Sequence, residues 1–368
     1  MKKILFITAF PPCGKTGGQI FSYNAIKELS LAYKVAVFYF SFPRHCCEIE
    51  ETSMIETVME FPTHIYNIFR YPLIHPTFTK RFNMKIARYL QSIASQYDIL
   101  YFDFAQVALY SLYIIHPCKF LRLHDVLAQK YLRRNILLGT WIRKTEDKIL
   151  KSFNKIFVPS VKDMELLKNL YQIDAVYTNE YLRDYDFTES KINKKQFVFY
   201  GYWKRKENSA GLIWFLENVY PLIKNDKYMF YIIGSGLSRK IQKKYLDNLH
   251  FEYLDFCDEP LAIIAKSTAV IVPLFQGAGI KVKVLDAFTV GTPVIGTDIA
   301  FEGIPNITGL SFLCSTPGHF VDNMRKLSEE TDYDRKILAK QFKNIYDRYH
   351  LLERLVNVLE DNYRIDHL

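Results

Sequence analysis

An α/β fold of two doubly wound domains is predicted for this chain by three observations. Its 368 residues exceed the usual size of one core and, at roughly 150 residues per domain, divide into two, with 49% hydrophobic residues to fill both. Short apolar runs of strand character alternate with helical periodicity in each half. The segment 269–303, AVIVPLFQGAGIKVKVLDAFTVGTPVIGTDIAFEG, is by itself a complete βαβ unit. It has an apolar run at 270–274, a break at Gly277-Ala278-Gly279, helical spacing of Val282, Leu285 and Phe288 over 280–290, and a short strand at 293–296 after Gly291.

The same unit is the leading candidate site. Its glycine turn offers bare backbone N–H groups at a helix start, where an anion is stabilised. Lys281 and Lys283 fall in the first helical turn, where the helix dipole disfavours cations, so an anionic ligand such as phosphate accounts for them. Asp286 lies two turns beyond Gly279 on the same predicted face, roughly 10 Å along the axis at about 1.5 Å per residue. Such spacing suits a diphosphate at one end and hydroxyls at the other. The same residues also fit a tight turn with a solvated lysine pair.

The chain opens with a buried-type strand at 3–9, a loop at 10–18, a helix at 19–31 and a strand at 35–40. The loop holds Gly14-Lys15-Thr16, the tail of a phosphate-loop pattern, but Ala9 stands where the pattern needs its first glycine. Pro11 and Pro12 have no N–H to donate, so a nucleoside-triphosphatase loop is unsupported. Gly17 and Gly18 open the helix and let a ligand approach its first amides. Residues 79–93, TKRFNMKIARYLQSI, form a basic amphipathic helix, suited to core packing or to peripheral contact with an anionic membrane. Strands follow at 98–104 and 120–123, and His124-Asp125 falls just past the carboxyl end of the second, where open α/β sheets bind ligands. A strand at 156–159, a helix at 161–171 capped by Ser160 and a strand at 175–178 close this half.

Residues 179–196 are polar and read as an interdomain linker, with Asp184-Tyr185-Asp186 as solvated charge rather than a metal pair. The second half begins with a strand at 197–201 and the basic loop Lys204-Arg205-Lys206, followed by a helix at 210–219 and a strand at 229–233. Gly234-Ser235-Gly236 lacks the third glycine of a dinucleotide fingerprint. A helix at 239–247, a strand at 251–256, a loop from Phe256-Cys257 and long helices over 333–363 complete the pattern.

A net charge of +9 favours polyanions, acidic substrates or an anionic membrane surface, with basic residues concentrated over 119–155. The six cysteines show no C-x-x-C pair and no regular framework, which predicts a reducing compartment and no structural zinc. The apolar run at the start spans only about seven residues before Pro11-Pro12, so it reads as a strand rather than a signal peptide. No uninterrupted apolar run approaches the roughly 18 residues of a membrane span; the nearest, 99–115, contains Asp103. These features predict a soluble cytoplasmic protein.

FPPCGKTGGQIFSYNAIKELS near the start, RLHDV at 122–126, FVPSVKDMELL at 157–167, YGYWKRKENSAGLIWFLENVYPLI at 200–223, YIIGSG at 231–236 and PLFQGAGIKVKVLDAFTVGTPVIGTDIAFEGI at 273–304 together resemble the retaining GT-B glycosyltransferases of family 4, the glycosyl transferases group 1. The resemblance covers nearly the whole chain, and its last motif is the most specific. It implies two Rossmann-like domains facing across a cleft: an acceptor domain at 1–185, a linker at 186–196, a nucleotide-sugar donor domain at 197–345, and C-terminal helices crossing back so that 346–368 pack on the first domain. It also implies transfer of a sugar, with retention, from a nucleotide-diphosphate sugar to a saccharide or lipid-linked saccharide in surface polysaccharide synthesis. No cofactor, metal or nucleic acid is implied, and the inner membrane face is the implied location.

Residue by residue, the resemblance assigns Gly277, Gly279, Ile280 and Lys281 to sugar and diphosphate, and Lys281 with His124 to catalysis. Lys204, Arg205 or Lys206 would neutralise the leaving phosphate. Asp286 would hold ribose hydroxyls, Phe256 and Cys257 would lie on the base-binding loop, Gly17 and Gly18 would match the donor-binding glycine pair at the cleft, and His124 the histidine near the transferred sugar. The sequence departs from the family at the first acid of its E-x7-E motif, which falls on Ala278, with the second shortened to Asp286; Glu302 is the substitute candidate for the sugar-site acid. A nucleotide-sugar epimerase and an inactive GT-B-like binding partner are the alternatives this departure leaves open.

Overall fold

The computed structural model describes residues 1–13, 17–41, 55–62, 67–133, 135–178, 185, 192–246, 250–329, 334–346 and 352–358. The chain divides into two compact units, Met1–Tyr181 with Arg348–Leu368, and Leu182–Asp347.

Unit 1 contains β1 (Lys3–Thr8), β2 (Lys34–Ser41), β3 (Ile55–Pro62), β4 (Ile99–Asp103), β5 (Lys119–Arg122), β6 (Lys155–Val158) and β7 (Val176–Tyr177). They form one parallel sheet in the order β3-β2-β1-β4-β5-β6-β7. Its strands are near-continuous apolar runs because both faces are covered. Side chains alternate between two cores: Leu5, Ile7, Phe38 and Phe102 lie in one, while Ile4, Phe6, Val37 and Tyr101 lie in the other. Leu355 and Val358, from a helical segment at 352–358, complete the second core, and the Leu352 amide donates to Glu28 Oε1 at 2.7 Å. The chain's end therefore returns to the first unit.

Unit 2 contains β8 (Asn193–Tyr200), β9 (Met229–Ile233), β10 (Phe251–Leu254), β11 (Ser267–Val272), β12 (Val294–Gly296) and β13 (Ser311–Leu313). They too are parallel, in the order β10-β9-β8-β11-β12-β13. The strand order reverses between β1 and β4 in unit 1 and between β8 and β11 in unit 2. Loops leaving the carboxyl ends of strands at such a reversal splay apart and leave a crevice for ligand.

Several boundaries differ from the expectations. β8 starts at Asn193, so residues 193–196 of the predicted linker are strand; the exposed side chains of 193–195 hid it, while buried Gln196 donates to Ser267 Oγ at 2.8 Å. The predicted helix at 79–93 is two elements, Pro76–Thr79 and Met84–Ala94, because the Asn83 side chain caps the second by accepting from the Lys85 amide. Arg81 is not on a basic face: it is buried, donates to the Ala9 carbonyl at 2.8 Å and lies over the Phe10 ring. The first helix begins at Gly17 and ends at Leu29. Cys13 is disulfide-bonded, while among the described residues Cys118, Cys257 and Cys314 are free.

Candidate functional site

In unit 2 the crevice residues come from the loops after β8 and β11. The helix Lys206–Asn218 follows β8 and packs so closely on the β11 loop that a Cβ added at Gly211 would lie 2.1 Å from the Pro273 carbonyl oxygen. This contact brings the start of one helix beside the glycine turn of the other loop. Helix Val282–Thr289 begins later than predicted, with Lys281 as its N-cap and no side-chain cap bond. Gly279 adopts φ +67°, a left-handed conformation that favours glycine, and it turns the chain into that helix.

The lysines do not form the solvated pair of the alternative reading. Lys281 Nζ donates to the Gly279 carbonyl and lies 3.7 Å from Glu302 Oε2, so the substitute acid does meet the turn. Lys283 Nζ is enclosed and donates to Asn208 Oδ1 at 2.9 Å, while Asn208 Nδ2 donates to the Tyr202 carbonyl at 2.8 Å. A Cβ on Gly201 would come within 2.9 Å of the Lys283 ammonium. Desolvation, then the charges of Arg205 and Lys281, pull the Lys283 pKa down to about 7. Three cations thus converge with backbone glycines at the β8/β11 reversal. Such an array is costly without an anion and favourable with one.

The basic trio is sorted by geometry. The Lys204 stem lies across Gly236, where an added Cβ would meet its Cγ at 2.7 Å, and its charge faces Asp255. Arg205, the N-cap of the helix Lys206–Asn218, is the member electrostatically coupled to Lys283. Lys206 is the first helical residue and is exposed. Asp255 accepts from the Gly236 amide at 3.2 Å, tying the β10 loop to the glycine loop after β9. Beyond it Phe256 stands 79% exposed, and Cys257 is half-buried. Asp286 is buried in the helix. Ile280 and Ala278 are partly buried in the turn.

In unit 1, Asp103 ends β4 and is fully buried. Its Oδ1 accepts from His124 Nε2 at 2.8 Å; its Oδ2 accepts from Ser22 Oγ at 2.5 Å and Thr8 Oγ1 at 3.3 Å. Burial alone would raise this carboxyl's pKa, but the imidazole, Arg122 and the Ser22 hydroxyl hold it below the ordinary carboxylate value. The His124 ring stacks on Phe104 at 3.9 Å between centroids, and Phe104 itself has φ +78°. A bulky residue in that region is strained and is held there by its surroundings. Gly18 sits at the same place, its added Cβ 3.3 Å from the Phe104 ring. Sequence reasoning missed Asp103 and Asn208 as functional residues. The available signal for Asp103 was an acid at the carboxyl end of the otherwise apolar run Ile99–Asp103.

Gly14, Lys15 and Thr16, and Asp184 and Asp186 of the acidic pair, lie outside the described residues, as do the side-chain surroundings of Gly17. Among the described residues no group of three or more His, Cys, Asp or Glu could hold a metal ion, and no helix is long and apolar enough to cross a membrane.

Residues 194–330, most of unit 2, match the family described as glycosyl transferases group 1. The matched segment contains the whole cation and glycine array. A curated relative, an uncharacterized 44.6 kDa protein in a cps region of Klebsiella pneumoniae, is 23% identical over 191 residues, 49% of each chain. The chain thus spans about half the length of the curated relative it matches. Among solved structures, sucrose-phosphate synthase from Thermosynechococcus elongatus aligns at TM-score 0.67 and 12% identity, over 99% of this chain and 98% of that one. A variant of S. aureus TarM, in complex with fondaparinux, alpha-GlcNAc-glycerol and UDP, aligns at 0.69 and 12%, over 97% and 99%. Anabaena HepE in complex with UDP and glucose aligns at 0.67 and 14%, over 98% and 100%. At these identities the likeness establishes the fold alone: two parallel-sheet α/β units of the GT-B kind.

Proposed function

We propose that the protein is a glycosyltransferase that binds a nucleotide-diphosphate sugar on unit 2 and moves the sugar to a hydroxyl of a saccharide or lipid-linked saccharide, with retention of configuration. The observation that carries this is the convergence of Arg205, Lys281 and Lys283 on the glycine-lined loops at the β8/β11 reversal. UDP in the HepE and TarM complexes and the cps-region relative support the donor class and a role in polysaccharide synthesis.

The diphosphate would take the place where the three cations repel one another, and their charge would stabilise the negative charge that develops as it departs. Gly277 and Gly279 would admit it to backbone N–H groups, Asp286 would hold the ribose, and exposed Phe256 would stack on the base. The acceptor hydroxyl would attack from the face the diphosphate leaves, its proton passing to a departing phosphate oxygen. Glu302, held by Lys281, would supply the sugar-hydroxyl acceptor that Ala278 cannot. His124, oriented by Asp103, would position sugar or acceptor. The chemistry invokes no metal or cofactor.

The test is a panel of nucleotide sugars and free nucleotide diphosphates measured by thermal shift and then by transfer to saccharide acceptors. Stabilisation by one nucleotide-diphosphate sugar and by its diphosphate is expected. A flat response to the whole panel would sink the proposal.

A further inference from the structure

We propose that Asn208 is the positioning residue of the diphosphate site, a neutral acceptor that holds the Lys283 ammonium at the β8/β11 reversal and leaves its charge for the ligand. This rests on the reading of unit 2 as a nucleotide-diphosphate site. Asn208 lies in the first turn of the helix Lys206–Asn218 and is 8% exposed. Its Oδ1 accepts from Lys283 Nζ at 2.9 Å, and its Nδ2 donates to the Tyr202 carbonyl at 2.8 Å. An ammonium can only donate and a carbonyl can only accept, so these two partners lock the amide in one orientation. Gly201 leaves room for the pair: a Cβ there would lie 2.9 Å from Lys283 Nζ and 3.1 Å from Asn208 Nδ2. Side chains of similar size do not serve both partners. Aspartate supplies an acceptor to Lys283 but sets a second oxygen against the Tyr202 carbonyl, and leucine fills the volume while bonding to neither.

Charge explains why the acceptor is neutral. Lys281 lies 3.7 Å from a carboxylate, Glu302, whereas Lys283 donates to an amide oxygen. Desolvation, then Arg205 and Lys281, disfavour the Lys283 ammonium and outweigh Glu207, whose charge favours it, leaving the pKa at about 7. An amine poised in this way gains its proton when an anion arrives, and an acceptor already in place eases that step. A carboxylate at position 208 would instead pair with the ammonium before the ligand came and would then repel the ligand. The amide thus directs the lysine without competing for it.

Titration calorimetry of the full chain with inorganic pyrophosphate, from about pH 5.5 to 8.5, tests this. Asn208→Leu removes the acceptor, so Lys283 gains its proton less readily. The variant should bind about tenfold more weakly than wild type near pH 8, narrowing to about threefold near pH 5.5, where the lysine is charged in wild type regardless. Taking the ratio of the two affinities cancels the ionisation of pyrophosphate itself. In a Lys283→Met background the same substitution should change affinity less than about twofold, because the asparagine acts through the lysine. Asn208→Asp should bind about tenfold more weakly than wild type across the range. A ratio that does not vary with pH, an equal loss in the Lys283→Met background, or an Asn208→Asp variant that binds like wild type would each overturn the proposal. Wild type that binds pyrophosphate with the expected signatures but no nucleotide diphosphate would refute the donor reading alone, and wild type that binds neither would refute both.

Discussion

The Lys283 ammonium donates to the Asn208 side-chain oxygen at 2.9 Å, and this bond joins the loop after β11 to the helix that follows β8. Lysine's ordinary pKa is 10.5, and here it is near 7 because burial and the neighbouring Arg205 and Lys281 charges penalise the ammonium. Between those two values the unfolded chain binds more protons than the folded one. This group's contribution therefore raises stability with increasing pH across that window, and below it the folded protein holds a penalised charge. Lys283→Met should raise the melting temperature of the ligand-free protein near pH 6, by roughly 2–4 °C per kcal/mol relieved. The same variant should weaken nucleotide-diphosphate binding. Calorimetry in buffers of different ionisation enthalpy should show proton uptake on diphosphate binding by wild type near pH 8, absent in the variant. Equal proton uptake by both would remove Lys283 from the site.

Arg205→Ala should weaken nucleotide-diphosphate binding about tenfold, the scale of one lost charge-assisted contact. Lys206→Ala should change it much less, because Arg205 is the member of the basic trio coupled to Lys283. Titration calorimetry with both variants decides between them. The reverse ranking would assign the phosphate to the first helical residue instead.

His124→Ala should lower turnover on the order of a hundredfold or more while leaving donor affinity within a few-fold. Asp103→Asn should approach the same loss, because an amide in place of the carboxylate no longer fixes which imidazole nitrogen carries the proton. Initial-rate kinetics alongside direct donor binding separate the two effects. Normal turnover in His124→Ala would limit that ring to structure.

The two sheets were legible because strands buried on both faces, such as Lys3–Thr8 and Lys34–Ser41, leave nearly unbroken apolar runs. The glycine turn was legible because Gly279 needs its left-handed conformation. The N-terminal end of β8 was not, because the strand continues into exposed polar residues whose backbone pairing sequence does not display. Nor was the Lys283 environment legible: a lysine one residue inside a helix looks solvated until Asn208, 75 positions away, is folded against it. Asp103 escaped for the same reason, since His124, Ser22 and Thr8 reach it from three other elements. Local periodicity reveals elements, whereas the partners of a buried charge come from distant sequence.

A further prediction concerns Glu146, whose buried carboxylate lies at the start of the helix Leu127–Leu132, just after His124. It accepts the Leu127 and Ala128 amides at 2.9 Å each and the Tyr171 hydroxyl at 2.5 Å. Burial raises its pKa despite these bonds. A carboxyl whose folded pKa lies above the unfolded value of 4.5 contributes stability that is complete below that value and is lost as pH rises through the folded pKa. Glu146→Gln cannot titrate, so the stability of wild type relative to this variant should decline as pH increases above about 4.5. Relative to Glu146→Gln, Glu146→Ala leaves two helix-start amides and a phenol without an acceptor and should cost about 1–3 kcal/mol at any pH. Denaturant unfolding of the three proteins from pH 4.5 to 8 measures both effects, and parallel curves for wild type and Glu146→Gln would show that the carboxyl does not titrate differently on folding.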